Sequence, residues 1–338
     1  MKKSDVVNSI LHLQYQTRGD TTYLPQREKG LAFAPTNIAL CKYWGKRDNE
    51  LNLPMTSSLS VALPDKGAMT SLIPSDQPHD VVVLNGNELA NDTPFVIRIS
   101  QYLDLFRSGS KRFLQIDINM NIPVAAGLAS SACGFASLIS AMNDLFDWQL
   151  AKRELSILAR LGSGSAARSF WTGFVEWRVG AQADGMDSYA ESLPYEWSEL
   201  FVGILSITEK EKPISSRDAM QQTMDSSILY GNWPKKVARD LVILRQALHA
   251  KNFSLLAGTA ESNALTMHAT MLSSWPPICY FLPETIAAMQ KIWELRRNGL
   301  EIYFTQDAGP NLKLLFLEKD KDKIIEQFPR LEIIRLFE

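Results

Sequence analysis

Cysteine is scarce. Cys41, Cys133 and Cys279 are the only three in 338 residues. They lie far apart with no CxxC pair, which excludes a disulfide framework and a zinc-finger-type site and suits a reducing cytoplasm. Histidine is equally thin, and His12, His79, His249 and His268 show no metal-ligand spacing. No apolar run approaches the roughly 20 residues that a membrane-spanning helix requires. The basic start at Met1-Lys2-Lys3 is followed by no signal-peptide core or cleavage site. An excess of positive charge is missing too: 35 Lys and Arg against 37 Asp and Glu leave a net charge of −2, which argues against a general nucleic-acid binder. Repeats and low-complexity tracts are absent. What remains is a globular chain, 46% hydrophobic and 21% charged, sized for one very large domain or two ordinary ones.

One stretch stands out against this background. Leu114, Ile116, Ile118, Met120 and Ile122 alternate with polar residues, the period of a half-buried strand. Beyond Ser130 the period changes: Ala132, Phe135, Leu138, Ile139, Met142 and Leu145 fall at helical spacing. Between the two lies a loop of small residues, Ala125-Ala126-Gly127-Leu128-Ala129-Ser130-Ser131-Ala132. Small side chains let a ligand reach the backbone, and the first turn of a helix offers unpaired amides and a dipole that favour an anion. A serine N-cap on an ordinary helix explains the same residues. Neither the P-loop nor the dinucleotide fingerprint is present.

Other segments carry charge in apolar surroundings. Leu31 to Ala34 leads into Asn37-Ile38-Ala39 and then Lys42-Tyr43-Trp44-Gly45-Lys46-Arg47. If no turn intervenes, Lys42 and Lys46 share a strand face, where an anion between them would relieve their repulsion. A solvated basic turn is the plainer alternative. Tyr43 and Trp44 suit either core or pocket wall. After a helix over 149–162 comes Gly162-Ser163-Gly164-Ser165-Ala166-Ala167-Arg168-Ser169, small residues with one guanidinium, which suits capture of a carboxylate or phosphate. Near the end, Gln306-Asp307-Ala308-Gly309-Pro310-Asn311 joins two strands, and a purely turn-forming Asp307 is a fair alternative to a functional one.

The remaining pattern predicts a short helix over 4–15 capped by Ser4, a strand ending at Leu63, a hairpin at Asn85-Gly86 and helices at 94–107, 216–228, 234–250, 252–270 and 284–298. It further predicts strands at 174–177, 200–208, 301–305, 312–317 and 331–336 with a helix at 320–327. The polar stretch from Gly180 to Asp187 is the best candidate junction between domains.

Taken together, four of these segments resemble the GHMP kinase superfamily and, within it, the diphosphomevalonate decarboxylase family. They are Asn37-Ile38-Ala39 with Lys42 to Arg47, Ala126 to Ala132, Ser163 to Ser169, and Thr305 with Asp307 to Asn311. They occur in the family's order and span about residues 31 to 318. The resemblance implies an α+β, two-domain GHMP kinase fold, with a ribosomal S5 domain 2-like N-terminal domain and a ferredoxin-like C-terminal domain. On that basis 25–185 is the N-terminal domain and 186–338 the C-terminal domain, and residues 1–24 read as an appendage that packs on the main body or on a partner.

It also implies a function: ATP-dependent decarboxylation of mevalonate 5-diphosphate to isopentenyl diphosphate, with ATP and Mg2+ as cofactors. Asp307, Arg168, Lys42 and Asn37 become the expected catalytic residues. Tyr43, Trp44, Gly45, Lys46, Ser163, Gly164, Ser165, Ala166, Ala167, Arg168 and Thr223 become the expected substrate contacts. Ala126, Gly127, Leu128, Ala129, Ser130, Ser131 and Ala132 would hold the ATP phosphates, and no residue set is expected to cage a metal. A cytoplasmic homodimer without nucleic-acid or membrane partners is expected. The sequence departs from the family at Ala167, often Cys, and at His79, where some members have a substrate-binding Arg. A mevalonate-type kinase, a monophosphate decarboxylase and a non-catalytic anion binder are the competing readings.

Overall fold

The computed structural model describes residues 1–107, 109, 112–122, 130–210 and 212–337. In chain order, helix α1 (Lys3–Arg18) precedes strands β1 (Gly30–Cys41), β2 (Lys46–Asp48), β3 (Leu53–Pro54), β4 (Ser58–Ser75), β5 (Val81–Leu84) and β6 (Asn87–Glu88). Then come α2 (Pro94–Asp104), β7 (Phe113–Met120), α3 (Ser130–Leu145), α4 (Lys152–Gly162), β8 (Phe174–Trp177), β9 (Ala190–Ser192) and β10 (Leu200–Leu205). The last part holds α5 (Ser216–Ser226), α6 (Trp233–His249), α7 (Phe253–Leu272), α8 (Pro283–Arg297), β11 (Ile302–Gln306), β12 (Leu312–Leu317), α9 (Lys321–Gln327) and β13 (Glu332–Arg335).

Among the described residues, seven strands make one sheet in the order β6-β5-β7-β4-β8-β9, with β1 also paired to β4. Strand β7 buries Leu114, Ile116, Ile118 and Met120 as its period of two predicts. Strand β4 is longer than the sequence pattern suggests. Pro64, Asp65 and Lys66 read as its end, yet they are a bulge: pairing with β1 jumps from Thr36↔Leu63 to Pro35↔Gly67 and continues. Helix α3 lies on β1 and β4, and its Ser137 hydroxyl bonds that of Thr70, 2.6 Å away, inside the core.

A second sheet of four antiparallel strands runs β11-β12-β10-β13. Because β9 still pairs with β8, the chain passes from the first sheet to the second between Ser192 and Leu200. The junction-like stretch 180–188 is tied down by the buried Arg160, which donates to the carbonyls of Gly185 and Ser188. Helix α7 packs on α6, β11 and β1, so it touches both sheets.

The N-terminal helix is an integral part of the core. Val6, Val7, Ile10 and Leu11 form the expected stripe and are buried. Its cap differs from expectation: the Asp5 carboxylate accepts the Lys2 amide at 2.8 Å, and Ser4 already lies within the helix. The segment is pinned further by Trp148 Nε1 donating to the Thr22 carbonyl at 2.7 Å.

Candidate active site

The centre of the site is Asp307, on the turn between β11 and β12. Its carboxylate accepts a hydrogen bond from Lys42 Nζ at 2.6 Å and lies 3.2 Å from Lys313 Nζ. Both lysines are buried, at 2% and 1% side-chain exposure, whereas Asp307 retains 23%. A carboxylate wedged between two desolvated ammonium groups, yet still reachable, is more than a turn former. Burial alone would raise the Asp307 pKa, but Lys42 and Lys313 outweigh it and hold the group well below the usual carboxylate range. Burial pushes Lys42 down to about 8 even though Asp307 favours its charge.

Helix α7 sets this pair. Asn263 Oδ1 accepts the Lys42 amide at 2.8 Å, and Asn263 Nδ2 donates to Asp240 on α6 at 2.7 Å. Further along the helix, His268 Nε2 sits 3.2 Å from the Asp307 carbonyl, its ring stacked on Phe281. Burial pushes His268 down to about 3, so the ring is neutral and donates to that carbonyl. Lys212 Nζ reaches the next carbonyl, Ala308, at 3.0 Å, and burial lowers it to about 8.

Arg168 faces the same place. It is 3% exposed, its Nε donates to Asn37 Oδ1 at 3.2 Å and its Nη1 to the Ser58 hydroxyl. Asn37 is held in turn by donating to Ser169 Oγ at 2.8 Å. Burial brings the Arg168 pKa down to about 10, with Asp307 and Tyr43 favouring its charge. Asn37 therefore orients the guanidinium rather than standing free.

Tyr43 leans edge-on against Trp177, with ring centroids 4.8 Å apart, and its buried hydroxyl has no partner among the described residues. Gly164 lies beside it, and a Cβ there would stand 2.6 Å from the Tyr43 oxygen. The start of α3 meets the serine loop directly: Ser131 Oγ is 3.2 Å from Ser163 Oγ, which is 3.3 Å from Ser165 Oγ. Ser130, Ser131 and Ala132 are thus placed next to the substrate loop, while Ala126, Gly127, Leu128 and Ala129 lie outside the described residues.

Several expectations change. Lys42 and Lys46 do not share a strand face, because β1 ends at Cys41 and a turn intervenes. Gly45 has φ +113°, and a Cβ there would run into the Tyr230 hydroxyl, so glycine suits that turn. Lys46 Nζ instead donates to Asn52 Oδ1 at 2.7 Å. It faces a cavity of ≈ 290 Å³ shared with Asn49, Arg217 and Gln221. Burial, then Arg217, Lys3 and Arg98, push its pKa down to about 8. Trp44, Ala166 and Ala167 are buried packing residues. Thr223 is buried, its hydroxyl donates to the Ala219 carbonyl at 2.7 Å, and its neighbours Met220 and Met224 line the cavity. His79 is exposed; the guanidinium groups near Lys46 are those of Arg217 and of Arg98 on α2, the latter 3.5 Å from the Gly162 carbonyl.

Sequence reading missed Ser58, Arg98, Lys212, Arg217, Asn263, His268 and Lys313. Only Lys313 left a signal, as a lone charge inside the apolar run of β12, where it stands opposite Thr305.

A cation-lined cleft where the end of β1 meets the turn after β11, with a helix start beside it, defines a phosphoryl-handling protein of the GHMP kinase type. Residues 34–190 match the profile of the diphosphomevalonate decarboxylase-like N-terminal domain, and residues 202–332 that of the mevalonate 5-diphosphate decarboxylase C-terminal domain. The chain belongs to the diphosphomevalonate decarboxylase family.

The diphosphomevalonate decarboxylase of Candida albicans is 36% identical over 308 residues, 86% of this chain and 85% of that one. That of Saccharomyces cerevisiae is 34% identical over 310 residues, 86% and 78% respectively. Among solved structures, mevalonate diphosphate decarboxylase from Staphylococcus aureus superposes with TM-score 0.85 at 37% identity, covering 92% of this chain and 96% of its own. MDDEF in complex with MVAPP, AMPPCP and magnesium gives TM-score 0.84 at 37% identity, covering 91% and 96%.

Proposed function

We propose that the protein converts mevalonate 5-diphosphate and ATP into isopentenyl diphosphate, carbon dioxide, ADP and phosphate. The observation that carries this reading is the Lys42–Asp307–Lys313 cluster in a family whose relatives bear this activity in their names. The chemistry demands it. A tertiary hydroxyl is a poor leaving group until phosphorylated. Loss of that phosphate leaves positive charge at the tertiary carbon and draws electrons from the breaking bond to the carboxylate.

In this reading Asp307 accepts the hydrogen bond of the tertiary hydroxyl and aims it at the nucleotide. Two flanking ammonium groups make Asp307 a weak base, so orientation and electrostatics are its main contribution. Lys42 tunes Asp307 and faces the departing phosphate. Arg168, oriented by Asn37 and Ser58, binds the substrate carboxylate, which keeps it in line for departure as carbon dioxide. The unpartnered Tyr43 hydroxyl, Ser163, Ser165 and the Lys46–Arg98–Arg217 group take the diphosphate.

The amides and hydroxyls at the start of α3 hold the ATP phosphates. Magnesium, when bound with the nucleotide, neutralises phosphate charge. Among the described residues no cluster of three His, Cys, Asp or Glu could cage it, so phosphate oxygens and the serines at the start of α3 are the fitting ligands. With Arg98 and Arg217 beside Lys46, the pocket favours the diphosphate over the monophosphate substrate. A coupled assay of purified protein with ATP and each mevalonate phosphate tests this: carbon dioxide and ADP in equal amounts from the diphosphate are expected. ADP without carbon dioxide would make it a kinase instead.

The proposed assembly is a homodimer. Ile228, 88% exposed, and Trp275, 79% exposed, form an apolar corner in which the Trp275 amide bonds Ser226 Oγ at 2.9 Å. Light scattering should give twice the 37.9 kDa chain mass, and a single chain mass would dismiss the dimer. The proposed setting is the cytoplasm, in keeping with three free cysteines; no helix among the described residues is long and apolar enough to cross a membrane.

A further inference from the structure

Helix α1 does more than its packing requires. Its apolar stripe is buried, and the helix leans on α4. In its first turn Lys3 is half-buried, although it carries a charge and makes neither ion pair nor hydrogen bond among the described residues. Burial lowers its pKa; of the neighbouring charges Glu50 favours the ammonium, and Arg217 and Arg98 oppose it.

The geometry around α4 explains the neighbourhood. Lys46 holds Asn52, whose amide donates to the carbonyls of Arg160 and Leu161 at 3.0 and 3.1 Å. Arg98 approaches the carbonyl of Gly162. Both are therefore anchored at the carboxyl end of α4. The far end of α1 is tied just ahead of α4, where Gln14 and Arg18 donate to the carbonyls of Trp148 and Phe146 at 3.0 and 3.2 Å, so its first turn, with Lys3, lies toward that carboxyl end. Arg217 faces Lys46 across the ≈ 290 Å³ cavity. A helix carboxyl end attracts a cation by about 0.3–1 kcal/mol, which accounts for one or two such groups. Asp218 also lines that cavity and Glu50 neighbours Lys3, yet neither makes an ion pair with any of the four cations among the described residues, so an excess of positive charge remains.

We infer that Lys3 is a fourth cation of the phosphate pocket, delivered by α1, and that it strengthens the preference for a ligand bearing two linked phosphates over one. The inference deepens the proposed function, because the ligand is the diphosphate end of that substrate. The family profile begins at residue 34, so this cation comes from a segment outside it.

The test uses the full chain with Lys3→Ala, Lys3→Glu and Lys3→Arg, and Lys2→Ala as the neighbouring control. Calorimetric titration with inorganic pyrophosphate and with orthophosphate reads the pocket without turnover. Losing one partly solvated ammonium–phosphate contact should weaken pyrophosphate roughly three- to tenfold. Lys3→Glu should weaken it more, Lys3→Arg should restore it, and Lys2→Ala should match the parent. Orthophosphate binding should change less than pyrophosphate binding. In the decarboxylation assay the loss should fall on KM rather than kcat. Unchanged pyrophosphate affinity and KM in a folded Lys3→Ala protein would overturn the inference; alanine favours the helix, so folding should not obscure it. Lys3-dependent pyrophosphate binding without carbon dioxide release would keep the pocket and reject the reaction.

Discussion

Asp307 illustrates how much a single residue's role depends on its surroundings. In the sequence it sits in a Gly-Pro turn, where aspartate is commonplace. In the fold it has a lysine on either side, both from apolar strand ends, and it remains reachable from the cleft. Replacing Asp307 by Ala should lower turnover roughly 10²–10³-fold, the scale of one lost orienting and electrostatic group, while ATP binding, measured by nucleotide titration, stays near that of the parent. Arg168→Ala should lose organic product even where nucleotide still binds, since its guanidinium is held by Asn37 and Ser58 rather than by the start of α3. The lysines also set the pH response. Lys42 and Lys46 have pKa values near 8, below the ordinary 10.5, because burial disfavours their charge. They are ammonium groups below that pH and lose the proton, and the attraction for a polyanion, as pH rises through it. The kcat/KM profile should therefore fall on its alkaline side with an apparent pKa near 8. The kcat limb should lie higher, because a bound polyanion favours the charged form.

At the scale of elements, α7 and the turn at Gly45 decide the geometry. Helix α7 fixes Lys42 through Asn263 and Asp307 through His268, one residue from each sheet's contribution to the site. Asn263→Ala should reduce kcat roughly tenfold or more, as a shift of the reacting groups by about 1 Å does, with little change in KM for ATP. A steady-state comparison beside a melting curve separates this from mere destabilisation. Gly45→Ala places a side chain at φ +113° against Tyr230. It should cost roughly 1–3 kcal/mol in denaturant unfolding, and it should raise KM for the diphosphate substrate because Lys46 follows directly. Most of these elements were legible from periodicity. Strand β4 was not, since a bulge carries proline and two charges through its middle, and bulges imitate turns in sequence.

For the whole molecule, the outcome of interest is the integration of the N-terminal helix. Its buried stripe, Val6, Val7, Ile10 and Leu11, packs α1 into the main core. Leu11→Ala should cost about 2–5 kcal/mol, read from urea unfolding, as for any large apolar side chain removed from a close-packed core. A value near zero would mean that α1 is detached in solution. If Lys3 serves the diphosphate as proposed, stability and substrate preference share this one element.

From the sequence alone, periodicity located most elements, and four motifs that resemble a family implied the fold class and the segments expected to meet phosphates, because periodicity and short motifs are local properties. The sequence identified Asp307, Arg168, Lys42 and Asn37 as candidates but left their roles open. Tertiary structure alone decided that Lys42 and Lys46 part company, that the Thr223 hydroxyl bonds within its own helix, that Lys313 flanks Asp307, and that Arg217 lines a cavity with Lys46. These residues lie scattered across the chain, and what makes each matter is an electrostatic neighbour distant in sequence. Coulomb attraction and desolvation act through space, so no reading along the chain can supply them.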